Sequence, residues 1–395
     1  MSILSGLVLP GPLPEPLPEP LTEPADQQQV RPPGAGDPAR ISDPLDHAAV
    51  AAALQGEVLD RFNQLLAGLE LYRDHPYRRT GARHRVVFEE GGSRLLDFSI
   101  DAGKPGIPVL LIPSLINRYY ILDLDEGASF LTFLAENGFQ PLVIDWGRPG
   151  PVEREFTLTD YIAGRLERLL QSACGHAGVA RMPVIGYCMG GTLATALAVR
   201  RPDLVSGLIA LATPWDFHAG EPGRAQTLAR LMKPVMPMID HWGDLPLDAI
   251  QALFTALQPL GVMRKFERFA RLDQDSRAAR SFVALEDWLN DGVPLAAPVA
   301  RDCLLGWYGD NRPGRGTWRI AGLPVTPAEV TQPALHLIPG DDRIVPPESS
   351  EALARLTPNG DSLKPAIGHI GMMSSRRAGG TVWQPMADWL SKNAP

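Results

Sequence analysis

Between Val50 and Leu69 the apolar residues Val50, Leu54, Val58, Phe62, Leu65, Leu66 and Leu69 return every three or four positions, the period of a helix with one apolar face. Asp43 followed by Pro44 supplies an N-cap and a first-turn proline, so an amphipathic helix packed on the following domain is expected. From residue 85 the pattern changes to short apolar runs. Residues 85–89, 95–100, 109–112, 140–144, 183–185, 204–210 and 333–338 predict strands. Helical spacing predicts helices over 129–137, 160–173 and 382–390, and one following residue 188. Most of these runs are apolar at every position, which suits parallel strands covered on both faces by helices.

This rhythm breaks between 215 and 323, where Pro234, Pro237, Pro246 and Pro259 punctuate helical segments rich in Leu, Met, Phe and Trp. A helical cap inserted between two late strands is expected there, over the strand ends where open α/β sheets bind ligands. Residues 1–40 carry Leu-Pro-Glu-Pro repeats and Arg31-Pro32-Pro33-Gly34, with too few large apolar residues to fold. They read as a disordered or polyproline-like tail. The expected layout is a tail over 1–40, a first core segment with its N-terminal helix over 41–214, the cap over 215–323, and a second core segment over 324–395.

The stretch Val184-Ile185-Gly186-Tyr187-Cys188-Met189-Gly190-Gly191-Thr192 runs from an apolar strand through Gly-x-Cys-x-Gly into a small-residue helix. That is the pattern of a nucleophile elbow, with Cys188 on a sharp turn and flanking glycines that let strand and helix pass closely. The Met189 N–H, at the helix N-terminus, is then an oxyanion donor. With the alternating strands, the elbow indicates an α/β-hydrolase core: a mostly parallel sheet, helices on both faces and an inserted helical cap. In that fold an acid and then a histidine follow the nucleophile. Asp341 and Asp342 lie just beyond the predicted strand at 333–338, and His369 sits in a Gly-flanked loop further on. Position alone leaves the two acids as alternatives. The loop after the strand at 109–112 supplies the second oxyanion donor in this fold, which points to the backbone of Leu115 or Ile116.

Composition narrows the classes. The 395-residue chain has a formal net charge of -8, which argues against nucleic acid as the main partner. Cys174, Cys188 and Cys303 form no C-x-x-C pair, so neither a disulfide framework nor a metal site is expected, and a reducing cytoplasm suits the chain. Residues 1–9 are apolar but lack a basic flank and end at Pro10, and no apolar run approaches the roughly 20 residues that span a bilayer. Neither secretion nor a membrane span is expected. The basic run Arg78, Arg79, Arg83, His84, Arg85 reads as a solvated loop, the alternative being a contact for coenzyme phosphates.

Four segments give the chain a family resemblance. Leu111-Ile112-Pro113-Ser114-Leu115-Ile116-Asn117-Arg118-Tyr119-Tyr120-Ile121-Leu122-Asp123-Leu124 is similar to the Pro-Pro-Leu-Ile-Asn-Lys-Tyr-Tyr-Ile-Leu-Asp-Leu signature of the polyhydroxyalkanoate synthases. Ile144-Asp145-Trp146-Gly147 with Leu158-Thr159-Asp160-Tyr161-Ile162 resembles the next motif of their shorter, class III catalytic subunits. The Gly-Tyr-Cys-Met-Gly-Gly elbow is the third, and Asp342-Arg343-Ile344-Val345-Pro346 with Gly368-His369-Ile370 is the fourth. Trp288-Leu289-Asn290-Asp291-Gly292 is a shorter match, equally readable as a helix end capped by glycine. Arg343 stands where the family has histidine, and Ser114 where it has a second proline.

The resemblance implies that the acid is Asp342 and that Cys188 attacks a 3-hydroxyacyl-coenzyme A thioester with His369 as base, releasing coenzyme A and extending a polyester. It implies no resident cofactor, a second synthase subunit or a homodimer as partner, and a cytoplasmic location on polyester granules. The same residues serve a Cys-dependent thioesterase or depolymerase in which water is the acceptor. A non-catalytic granule-binding role would have no use for the three residues.

Overall fold

The computed structural model describes residues 47–100, 106–125, 127–220, 222–257 and 261–393. The expected tail and the Asp43 cap lie outside them. The chain divides at Gln55, and the sheet, the cap and the candidate site all belong to Gly56–Pro395.

Eight strands form one sheet: β1 (Arg85–Glu90), β2 (Ser93–Asp97), β3 (Ile107–Ile112), β4 (Phe139–Asp145), β5 (Met182–Tyr187), β6 (Val205–Leu211), β7 (Ala334–Leu337) and β8 (Gly360–Leu363), in the order β1-β2-β4-β3-β5-β6-β7-β8. β2 runs antiparallel to β1 and β4, and the remaining pairs are parallel. Strand alternation divides the core in two. Leu110, Ile112, Val184 and Leu208 pack with residues of α3 (Glu167–Ala177) and α4 (Met189–Arg200). Their neighbours Val109, Leu111, Ile185 and Ile209 pack with α2 (Phe130–Glu136) and α12 (Gln384–Asn393).

Several expectations change. The strand expected over 95–100 stops at Asp97, because the Asp97 carboxylate folds back to accept from the Ser99 N–H (2.9 Å) and Oγ–H (2.6 Å). The helix expected over 160–173 opens as a π-helical turn, Asp160–Leu166, and continues through α3 to a left-handed Gly178. β8 is a short, largely exposed edge strand that no apolar pattern announced, and α11 (Pro347–Leu356) was likewise unannounced.

Helix α1 (His47–Asp74) forms, but Val58, Phe62, Leu66 and Leu69 of its apolar stripe are exposed. The face that docks is instead that of Gly68, where an added Cβ would stand 2.3 Å from the Phe266 carbonyl oxygen. One turn on, the Tyr72 ring meets Phe266 at 5.9 Å. Close approach at the small residue sets the buried side.

Between β6 and β7 the cap comprises α5 (Pro222–Met232), α6 (Met236–Trp242), α7 (Leu247–Leu257), α8 (Gly261–Ala270), α9 (Arg277–Asn290) and α10 (Ala297–Arg301), followed by a π-helical turn, Asp302–Gly309. α9 ends at Asp291, not in a left-handed glycine cap. Gly292 is needed for space: a Cβ there would stand 2.5 Å from Leu247 Cδ1 and 3.3 Å from Asn117 Oδ1.

Asp97 yields a pH prediction. Burial works against its charge, but hydrogen bonds from Ser99, His176 (2.8 Å) and Gln140 (3.1 Å) outweigh it and hold the carboxyl at about 2, below its ordinary 3.8. A lowered acid stabilises the fold above its unfolded pKa and loses that contribution as pH falls through its folded one. Urea melts of Asp97→Asn should show lower stability than the parent at pH 7, and a shallower loss between pH 4 and pH 2.

Candidate active site

Cys188 links β5 to α4 at φ 57°, ψ -128°, a conformation that costs a non-glycine residue about 1–3 kcal/mol unless its surroundings enforce it. Here they do. The Cys188 N–H donates to the Leu211 carbonyl at 2.9 Å, and the Cys188 carbonyl accepts from the Gly191 N–H at 2.9 Å. A Cβ on Gly186 would stand 2.4 Å from Gly191 Cα, and one on Gly190 would stand 2.0 Å from the Ile112 carbonyl oxygen. The two glycines of the motif are therefore required by close backbone approach rather than by positive φ.

The loops after β7 and β8 carry the acid and the histidine. Asp342 and His369 are both buried, and His369 Nδ1 donates to Asp342 Oδ2 at 2.7 Å. Asp342 Oδ1 accepts from the N–H groups of Ile344 (2.8 Å) and Val345 (2.9 Å), so both carboxylate oxygens are engaged. Asp341 is exposed. Its N–H donates to the Ile367 carbonyl at 3.2 Å, a contact that shapes the loop. The Tyr187 hydroxyl donates to the His369 carbonyl at 3.2 Å and fixes its backbone.

His369 also faces Cys188. Burial by itself disfavours the imidazolium, but the negative charge of the Cys188 thiolate and the bond to Asp342 prevail and push the imidazole up to about 10. At neutral pH an imidazole raised this far carries its second proton, next to the Cys188 sulfur. The other two cysteines differ: burial pushes the Cys174 and Cys303 thiols up, away from the thiolate.

In the loop after β3, Ser114 Oγ accepts from the Ile116 N–H at 3.2 Å. The Leu115 and Met189 N–H groups have no acceptor among the described residues. Of the two backbone donors expected here, Ile116 is thus occupied and Leu115 is free. No three His, Cys, Asp or Glu side chains among the described residues converge as a metal site.

The alpha/beta hydrolase fold family model matches residues 107–375. A poly(3-hydroxyalkanoate) polymerase subunit PhaC from Synechocystis sp. is 30% identical, over 85% of this chain and 92% of its own length. The chain belongs to the poly(3-hydroxyalkanoate) polymerase family. The PhaC subunit of Allochromatium vinosum is 28% identical over 86% of this chain and 97% of that one. For the PhaC subunit of Haloferax mediterranei the identity is 28%, over 79% of this chain and 64% of that one.

Three contributors to the site are not singled out by sequence reasoning. Arg79, from the basic run read as solvated, is half-buried: it pairs with Asp123 at 2.6 Å and lies over the Tyr120 ring at 4.5 Å. Ser114 stood out only as a departure from the polymerase signature. Tyr308, in the cap, packs on Phe217 at 5.1 Å, and its phenol is pushed up by burial and then by the negative charge of Cys188. Nothing in the pattern around Tyr308 distinguished it from cap packing.

Two substitutions check this geometry. Gly190→Ala should destabilise the fold by about 3 kcal/mol or more, since its neighbour is strand backbone that cannot yield; denaturant melts measure this. Asp342→Asn should lower turnover about a hundredfold or more, with Asp341→Asn within about threefold of the parent, because only Asp342 orients the imidazole.

Proposed function

We propose that this polymerase-family chain extends a polyester from 3-hydroxyacyl-coenzyme A through an acyl-Cys188 intermediate. The observation that carries the proposal is the Asp342-bonded His369 meeting Cys188 on the constrained elbow. The Cys188 thiolate attacks the thioester carbonyl, and the oxyanion is received by the N–H groups of Met189 and Leu115. Collapse breaks the C–S bond to coenzyme A, whose departing thiolate takes the proton from the His369 imidazolium. One thioester has replaced another, so the step is nearly balanced and the acyl group stays activated.

His369, neutral again, then accepts the proton of an incoming hydroxyl from a second hydroxyacyl group or chain end. The alkoxide attacks the acyl-Cys188 carbonyl, an oxoester forms, and the Cys188 thiolate leaves to regenerate the pair. Because both Asp342 oxygens are engaged, its role here is to orient His369 and stabilise its cation, not to take the hydroxyl proton itself. The relatives' description as subunits supports action within an assembly, with a second kind of subunit or a second copy. A growing polyester held on Cys188 accounts for association with granules.

Purified protein incubated with a 3-hydroxyacyl-coenzyme A should release coenzyme A and produce polymer turbidity together. Release without polymer would replace the synthase reading with a thioesterase. Cys188→Ala should abolish release while keeping the parent's melting behaviour. Cys188→Ser should lose at least about a hundredfold, an alcohol being a poorer nucleophile and leaving group here. Full activity in Cys188→Ala would overturn the mechanism.

A further inference from the structure

The loop that carries the Leu115 N–H is gripped by the cap. The Trp288 indole N–H donates to the Arg118 carbonyl at 2.8 Å, and Trp288 itself is buried. The Tyr120 hydroxyl donates to Asp291 Oδ2 at 2.9 Å, with the Arg118 guanidinium 3.8 Å from the same oxygen. The Val293 N–H donates to the Ile116 carbonyl at 3.3 Å. Gly292 leaves just enough room for the Asn117 side chain beside it. Four residues of this loop, Ile116, Asn117, Arg118 and Tyr120, thus meet one short cap segment, Trp288–Val293. On the core side, the Trp146 indole donates to the Pro113 carbonyl at 3.0 Å.

We propose that Trp288 and Asp291 are positioning residues that set the direction of the Leu115 N–H, so that the oxyanion site is complete only while the cap segment holds the loop. This rests on the acyl-Cys188 reading above. The cap hydrogen bonds, with that of the Ile116 N–H to Ser114 Oγ, fix the peptide planes on the C-terminal side of Leu115, and Trp146 fixes the Pro113–Ser114 plane on its N-terminal side. A donor suspended between two anchors loses its aim when either is released, and the strength of an oxyanion contact depends steeply on that aim. Displacement of the cap segment withdraws the anchor on one side. Its return restores the donor around the bound carbonyl.

The test removes single hydrogen bonds while keeping an aromatic ring at each position, in Trp288→Phe, Tyr120→Phe and the double variant. The readouts are the coenzyme A burst from a 3-hydroxyacyl-coenzyme A, alkylation of Cys188 by iodoacetamide, which forms no oxyanion, and hydrogen exchange of segment 113–120. The double variant should slow the burst by about tenfold or more with KM within about twofold. Alkylation should stay within about twofold of the parent, and exchange over 113–120 should be faster. An unchanged burst, or alkylation falling in parallel with it, would overturn the clasp. Absence of a Cys188-dependent burst in the parent protein would instead overturn the acyl-enzyme reading, and the clasp with it. Asp291→Ala provides a second disruption of the same grip should the double variant fold poorly.

Discussion

The closest backbone approach around the site, at Gly190, governs the rest of its geometry. Where Gly190 passes the Ile112 carbonyl, α4 lies against the end of β3 with no room for a methyl group. That contact fixes Cys188 relative to the last residue of β3. The loop that follows β3 starts one residue later, so Cys188 and the Leu115 N–H are referenced to the same point. The strain at Cys188 is tolerable because its two backbone hydrogen bonds and two flanking glycines over-determine the turn.

The three cysteines differ in their surroundings. Cys174 and Cys303 sit among apolar neighbours that penalise a thiolate. Cys188 faces an imidazole whose far nitrogen is held by a fully engaged carboxylate. The donors on Asp342 Oδ1 come from the turn at Ile344 and Val345, which explains why the position after Asp342 tolerates Arg343: its side chain is exposed, and the turn needs only its backbone. The departure from the family pattern at that position leaves the pair's geometry intact.

The elements legible in the sequence were those whose environment is symmetric or whose spacing is sterically forced. β3 to β7 are covered on both faces and read as apolar runs, and the elbow needed its glycines. The acid and the histidine followed in the order that strand topology dictates. Illegible elements depended on long-range partners. β8 has a neighbour on one side only and an exposed surface, so Gly360–Leu363 carries no apolar signature. Asp97 ended its strand by a local carboxylate turn inside an apolar context. On α1 the apolar stripe suggested the wrong buried face, because backbone proximity at Gly68 decided the docking. Arg79 looked solvated until Asp123 and Tyr120, more than forty positions away, supplied its partners.

The support of the loop extends outward by one more layer. Tyr72, at the end of α1, donates to Asp287 at 2.8 Å and accepts from the Asn290 amide at 3.1 Å, bracing α9 on both sides of Trp288. Arg79 reaches the same loop from the segment between α1 and β1, stacking on the Tyr120 ring whose hydroxyl meets Asp291. Helix α1, the segment that follows it, the cap and the signature loop therefore share one connected set of contacts. Its members are aromatic residues and arginines whose hydrogen bonds are directional, rather than aliphatic packing that slides at little cost. Such a network favours discrete arrangements over gradual deformation. On the acyl-Cys188 reading proposed above, that suits a site that admits a coenzyme A thioester and a polymer end, yet presents its backbone donors in a single orientation when the carbonyl arrives.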